Sequence, residues 1–413
     1  MPDAEEVSQG GPANFARLFS AQIASETPHK WIGLIFSASK LKTIKLKKSF
    51  FFPQREYFKL YFPKKLFKEI TLAENFRDPE KILQAPIKKI ISLILREKPD
   101  VVFLNGFGVF NWILLCAAKK TDTPVVIQHA GIWTKELRLH KHNYSLVGRK
   151  IMEQMEKEST FFSSAEVFLN TWSRDYYRKN VANGENSEVI PLPFDFNSFK
   201  KNINSRHKSV FTGANGKVRI GTIARWDDIK NHKALLALSR MAKRKKLPWH
   251  FYAVTKIPDA PSFEKKRRAY EKNITVIPSL NRTGVSDFCK SMDLLILPSI
   301  FDVSPTVVLE AIATNTPVVI SQNVGYVHEF VKHGAKNWVI NFKNTSKSLT
   351  GIKKIIKKPM PETLQRWIVL NHDSKKVFSS YLDLFNSVIL DKQRRSISSQ
   401  SQIALPETSA VEA

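Results

Sequence analysis

The sequence predicts an α/β protein of two parallel-sheet domains, and three observations carry that expectation. Short apolar runs bounded by turn residues alternate with segments of helical period in both halves of the chain. The 413 residues exceed one ordinary core, which makes two domains the expected division. Near the C-terminal third, "LLILPS" (294–299), "TVVLEAIA" (306–313) and "VVIS" (318–321) read as strand, helix and strand. A helical crossover between buried strands implies that they run parallel.

The elements follow in order. "WIGLIF" (31–36) reads as a strand, and "PIKKIISLILREKPD" as an amphipathic helix leading into the strand "VVFLN" (101–105). A helix through "NWILLCAAKK", the strand "PVVIQH" (124–129) and "EVFLNT" (166–171) continue the alternation. "VIPLPFDFNSFK" (189–200) is punctuated by prolines, and polar residues follow to about Lys217. A second series opens with "VRIGTIA" (218–224) and continues through "WHFYAV" (249–254) and "ITVIP" (274–278) to the unit described above. Before its helix, Ser304-Pro305 reads as an N-cap followed by proline at the first helical position. The expected organisation is a first domain over 1–190, a linker over 191–217 and a second domain over 218–366. A helix over 367–392 crosses back to the first domain, and a Ser/Gln-rich tail over 393–413 is expected to be disordered.

Charge and cysteine content narrow the functional classes. Lys+Arg of 65 against Asp+Glu of 37 gives +28, which points to anionic partners: nucleic acid, lipid headgroups or phosphorylated substrates. Cys116 and Cys289 sit in apolar, helix-like contexts and suggest a reducing compartment rather than a disulfide framework. No apolar run approaches the length of a membrane span, and no signal peptide is expected ahead of the fold.

One carboxylate stands out. Glu310 lies inside an otherwise apolar run, and an ionised carboxylate is costly to bury without a partner. Asp302 occupies the loop after the "LLILPS" strand, and ligands of parallel sheets sit outside the carboxyl ends of the strands.

Five elements in order resemble the family 4-type (group 1) GT-B glycosyltransferases. "FDVSPTVVLEAIATNTPVVIS" resembles that family's acid-x7-acid motif, with Asp302 and Glu310 as its two acids. "IGTIARWDDIKNHKALLAL" is similar to the Gly-Arg-Leu…Lys-Gly element, with Arg225 and Lys230 in place and Asn231 where a glycine is usual. "VIPLPFDFNSF" resembles the interdomain segment, "SQGGPANFARLF" the amino-terminal Gly-Gly loop, and "VVIQHAGIW" the strand-terminal histidine. At the amino terminus only the polar, acidic "MPDAEEVS" precedes the Gly-Gly element, where relatives place a buried strand. The first domain is therefore expected to lack that strand.

The resemblance implies a GT-B fold, with two Rossmann-like domains facing a cleft, and retaining transfer of a sugar from a nucleotide-sugar donor. Arg225 and Lys230 would stabilise the leaving diphosphate, Arg as a fork and Lys as a point charge. Glu310 would accept hydrogen bonds from the ribose diol. Asp302 and His129 would act at the donor sugar as the catalytic pair, and Gly10, Gly11, Ser304, Pro305 and Thr306 would complete the donor site. No cofactor and no metal are expected, because fixed cations carry the phosphate charge; the Asp-x-Asp pair of metal-dependent enzymes has no counterpart here. Simpler readings remain for single residues: Arg225 and Lys230 could pair with Asp227 or Asp228, and His129 could be a satisfied core histidine.

The stretch 41–68 carries nine Lys/Arg, one acid and eight aromatics. Such interleaving suits an anionic membrane surface, where rings settle at headgroup level and cations meet lipid; its plainer reading is a basic loop over core aromatics. The expected partners are thus a nucleotide-sugar donor, a glycan or lipid-linked acceptor and an anionic membrane. The expected location is the cytoplasmic face, and the expected role is synthesis of cell-surface polysaccharide or lipopolysaccharide. A nucleic-acid-binding protein on a Rossmann-like scaffold is the rival class, supported by charge alone; no nucleic-acid partner is expected. A catalytically inactive nucleotide-binding relative is the third reading.

Overall fold

The computed structural model describes residues 15–16, 18–19, 21–22, 29–39, 44–52, 55–201, 216–356 and 358–403. Gly10 and Gly11 lie outside the described residues. So do 41–43 and 53–54 of the basic-aromatic stretch, 202–215 of the expected linker, and 404–413.

The second domain is built on six parallel strands in the order β10-β9-β8-β11-β12-β13: β8 (Val218–Ile223), β9 (Trp249–Val254), β10 (Thr275–Ile277), β11 (Leu294–Leu297), β12 (Val318–Ser321) and β13 (Val339–Ile340). Strands β11 and β12 are buried throughout, as their uninterrupted apolar sequences require. The order reverses at β8 and β11, and the crevice beyond their carboxyl ends is where such sheets hold ligands.

The first domain carries two smaller sheets. Strands β4 (Val102–Asn105), β5 (Val125–His129), β6 (Ala165–Phe168) and β7 (Ser187–Val189) run parallel in sequence order. The other sheet has the order β1-β3-β2, with β1 (Ile32–Ser39) parallel to β3 (Arg55–Pro63) and β2 (Lys45–Phe52) antiparallel to it. The basic-aromatic stretch therefore forms a β-hairpin followed by the helix Lys64–Thr71, rather than a loop. Its alternation decides which side chains face water: Phe58, Leu60 and Phe62 are buried, while Lys45, Lys47, Lys64, Lys65 and Lys68 are exposed. Phe58 and Phe62 are thus core residues and cannot meet a membrane, while the side chains of Phe50, Phe51 and Phe52, on which the membrane expectation also rests, lie outside the described residues.

Two boundaries also differ from expectation. The helix Phe196–Lys201 falls in the expected linker, yet Phe194, Phe196 and Phe199 join the core of the second domain. The last helix, Ser374–Ile403, continues well into the expected tail, because Lys, Gln and Arg are good helix formers and no proline intervenes before Pro406. That helix packs on the first domain: Tyr381 donates to Gln128 Oε1 at 2.5 Å, and its ring meets Phe15, Phe19 and Phe103. Cys116 and Cys289 are buried and unpaired as a disulfide. No helix among the described residues is long and apolar enough to cross a membrane.

Candidate functional site

The two domains enclose a cleft of about 1950 Å³, lined by the segments that follow β4 and β5 on one side and β8 and β11 on the other. Arg225, Lys230, Asp302, Ser304, Pro305, Thr306 and Glu310 all line it, although they come from two segments separated by about seventy residues of chain.

After β8 the chain turns through a short 3-10 segment, Asp228–Lys230, and Asn231 takes a left-handed conformation (φ 56°, ψ 45°). Asparagine tolerates that region better than most residues, which explains how it stands where glycine is usual. Its Nδ2 also donates to Pro298 O at 3.0 Å, tying this turn to the end of β11. Lys230 Nζ reaches across the same gap and donates to Asp302 Oδ2 at 2.5 Å. Lys230 is therefore paired with Asp302 and not with Asp227 or Asp228.

Arg225 is exposed at the cleft and makes no hydrogen bond or ion pair from its guanidinium among the described residues. Its backbone is fixed instead. Burial lowers the pKa of His232, so the ring is neutral; Nε2–H donates to Arg225 O at 2.9 Å and Nδ1 accepts from the Tyr270 hydroxyl at 2.9 Å. Trp226 stacks on the same ring at 4.6 Å. A guanidinium on so fixed a backbone can meet an anion without reorganising that backbone.

On the β11 side, Asp302 is held by two backbone bonds: its N–H donates to Asn323 O (3.1 Å) and its carbonyl accepts from Gly325 N (2.9 Å). A Cβ on Gly325 would lie 1.9 Å from Val303 O, so this close approach requires glycine. The following helix is Thr306–Ala313 with Pro305, not Ser304, at the cap. The Ser304 hydroxyl instead meets the Tyr326 hydroxyl at 3.1 Å, a one-residue correction to the expected cap. Glu310 sits half-buried on this helix, and its carboxyl is pushed up to about 7 by burial, against the opposing pull of Arg282 and a hydrogen bond from the Thr306 side chain.

His129 does not reach the cleft. It is fully buried: Nε2 donates to Glu166 Oε1 at 2.8 Å, and its ring stacks on Phe168 at 4.6 Å. The expectation that His129 contacts the donor is corrected accordingly. The residue ends β5, and its side chain points into the β5–β6 packing layer, where buried Glu166 takes Nε2 while Nδ1 has no hydrogen-bond partner among the described residues.

The first domain offers other polar groups, from the segment just after β5. Glu136, on the helix Trp133–Leu139, lines the cleft; burial pushes its carboxyl up to about 7, while Lys230 and Arg225 pull it down and Asp302 pushes it up. Glu156 holds that helix by accepting from the Trp133 and Thr134 backbone N–H groups at 2.8 and 2.5 Å. His140 Nε2 donates to Asp227 Oδ1 at 2.8 Å across the cleft. Burial alone would raise the Asp227 carboxyl, but the Ile229 N–H and His140 lower it on balance. Asn170 Nδ2 forms a second bridge, donating to Val303 O at 2.7 Å. Sequence reasoning passed over Glu136 and His140; their signal was position alone, in the segment beyond the carboxyl end of a parallel strand. Among the described residues no group of three or more His, Cys, Asp or Glu side chains is arranged to hold a metal ion.

Comparison with known proteins shows what this chain resembles. Residues 205–369 match the family model described as "Glycosyl transferases group 1". A curated relative, "Putative glycosyltransferase EpsF" of Bacillus subtilis (strain 168), is 23% identical over 142 residues, covering 34% of this chain and 37% of its own length. Among solved structures, a sucrose-phosphate synthase from Thermosynechococcus elongatus superposes with a TM-score of 0.69 at 12% identity, covering 92% of this chain and 94% of that one. An α,α-trehalose 6-phosphate synthase from Burkholderia multivorans gives 0.68 at 10% identity, covering 95% and 97%. A trehalose-6-phosphate protein from E. coli bound with UDP-2-fluoro glucose gives 0.66 at 12% identity, covering 92% and 96%. Residues 205–369 thus carry the group 1 glycosyltransferase match, and the two-domain architecture around them is a GT-B fold.

Proposed function

We propose that the chain transfers a hexosyl group, with retention of anomeric configuration, from a nucleotide-sugar donor to a glycan or lipid-linked acceptor. The observation that carries this reading is the convergence of Arg225, Lys230, Asp302 and Glu310 on one cleft in a group 1 domain. Negative charge accumulates on the diphosphate as the glycosidic bond breaks. The Arg225 fork and the Lys230 ammonium, both held by fixed backbone, stabilise that charge as it develops. Asp302, now paired with Lys230, is placed to accept sugar hydroxyls once the diphosphate takes up the lysine. Glu310 accepts from the ribose diol one to two helical turns deeper. Transfer then proceeds by front-face attack of the acceptor hydroxyl, with the leaving phosphate taking its proton, and no protein nucleophile is required. The UDP-2-fluoro glucose bound by the E. coli neighbour makes UDP-glucose the first donor to test.

The exposed lysines of β2 and the helix Lys64–Thr71 support docking on an anionic membrane, which would present a lipid-linked acceptor at the cytoplasmic face. Synthesis of a cell-surface polysaccharide or lipopolysaccharide is the role that follows. The test is turnover of UDP-, GDP- and ADP-sugars followed by nuclear magnetic resonance of the product. The expected result is release of nucleoside diphosphate, a product with the donor's anomeric configuration, and no loss in EDTA. An inverted product, or activity lost in EDTA and restored by manganese, would contradict it.

A further inference from the structure

Glu136 faces Arg225 and Lys230 from the opposite domain, and the fold does not account for it. It stands on the helix Trp133–Leu139, just after β5, and lines the cleft. That helix is fixed from behind by Glu156, which accepts from the Trp133 and Thr134 backbone N–H groups. Gly131 leaves the room that the Glu136 carboxyl occupies, since a Cβ there would overlap Oε1. Neither carboxyl oxygen makes a hydrogen bond or an ion pair among the described residues. Buried carboxyls that serve the fold are hydrogen-bonded, as Glu156 and Glu166 are here.

The charged groups around the carboxyl say what it meets. Lys230, Arg225 and Asp302 face it from the second domain, Glu156 lies behind it, and Tyr144 is close enough for its hydroxyl to feel the charge. Burial pushes the carboxyl up to about 7; Lys230 and Arg225 pull it down, and Asp302 and Glu156 add to the push. A diphosphate on Arg225 and Lys230 would cancel their pull and add its own repulsion. An ionised Glu136 would oppose that ligand, whereas a protonated one offers it a hydrogen-bond donor. A carboxylic acid kept neutral by its site can donate to an oxygen on which negative charge develops.

We propose that Glu136 completes the diphosphate site from the first domain, donating the O–H of its neutral carboxyl to a phosphate oxygen. The inference rests on the reading of the cleft as a diphosphate site and adds to it a donor that the second domain does not supply. Binding then takes up a proton wherever free Glu136 is ionised, and the donor is held by both domains at once.

Calorimetric titration of UDP, GDP and ADP in buffers of different ionisation enthalpy, at pH 7 and pH 8.5, counts the protons taken up. At pH 8.5 the parent should take up close to a proton more than Glu136→Gln for whichever nucleotide binds. Between the two pH values its affinity should fall about tenfold relative to that variant, whose amide donates at both. Glu136→Ala, which has no donor, should bind about tenfold more weakly than the parent at pH 7, and glutamine should restore that loss. Glu310 and the nucleotide's own phosphates titrate too, but they are common to parent and variants and cancel in the comparison. A purely structural Glu136 would lower the melts of the variants and leave the pH dependence of binding as it is in the parent. Equal proton uptake and equal pH dependence in parent and Glu136→Gln would overturn the proposal and leave the diphosphate site standing. A parent that binds none of the three nucleotides would overturn both.

Discussion

Replacing Glu310 by glutamine should stabilise the protein at pH 8 while weakening its hold on nucleotide. Burial raises the carboxyl from 4.5 to about 7. A group with a raised folded pKa binds its proton more tightly in the folded state. Its contribution to stability is therefore complete below about pH 4.5 and is lost as pH rises through about 7. The rise corresponds to about 3 kcal/mol at about 1.4 kcal/mol per pH unit. Water on the cleft-facing side makes that figure a ceiling. Glutamine keeps the shape and an acceptor oxygen but carries no charge to desolvate. At pH 8 the Glu310→Gln protein should melt above the parent by up to about 6–12 °C, taking about 2–4 °C per kcal/mol for a domain of this size. Near pH 4.5 the two curves should coincide. Nucleoside diphosphate should meanwhile bind about tenfold to a hundredfold more weakly, as expected for losing charge-assisted hydrogen bonds. Thermal melts at both pH values, beside calorimetric titration, read both effects. A variant no more stable at pH 8, or one that binds nucleotide as the parent does, would refute the assignment of Glu310 as a buried charge retained for the ribose.

Three further outcomes follow from particular contacts. His129→Ala removes the partner of Glu166 and a stacked ring, so it should cost about 2–4 kcal/mol of first-domain stability and leave nucleotide affinity unchanged; a stable variant with lost nucleotide binding would return His129 to the cleft. Gly325→Ala drives a Cβ to within 1.9 Å of Val303 O and 2.5 Å of Asn170 Nδ2, displacing the Asp302 loop; donor affinity should fall about tenfold or more for a cost of about 1–3 kcal/mol, and unchanged affinity would show that the loop is not needed. Changing Lys45, Lys47, Lys64 and Lys65 together to glutamine should lower binding to anionic vesicles by about a hundredfold or more, at about 1 kcal/mol per lysine, without altering the melt; equal co-sedimentation of parent and variant would remove the membrane from the account.

The parallel-sheet architecture was legible because buried strands such as "LLILPS" and "VVIS" leave short, uninterrupted apolar runs that only a sheet covered on both faces can use. In the second-domain half of the cleft, Asp302 and Glu310 were legible from the strand, loop and helix around them, and Arg225 and Lys230 from the resemblance of 220–238 to a family motif. The first-domain half was not. A histidine at the end of a strand is compatible with either face of the sheet, and a buried Glu166 thirty-seven positions away decided the matter for His129. The hairpin of β2 and β3 was hidden by its lysines, since the alternation that buries Phe58, Leu60 and Phe62 is masked by the aromatic run at 50–52. Glu136 and His140 become visible only when the domains face each other, because their partners Lys230 and Asp227 lie almost a hundred residues away.

The central claim is that the Arg225–Lys230 cleft binds the diphosphate of a nucleotide sugar. Calorimetric titration of UDP, GDP and ADP into the parent, Arg225→Ala and Lys230→Ala proteins tests it most directly. One nucleoside diphosphate should bind the parent, more tightly than its monophosphate and its 2′-deoxy form, and each variant should weaken it about tenfold to a hundredfold while its melt shows a folded protein. A folded parent that binds none of the three, or variants that bind as the parent does, would contradict the account.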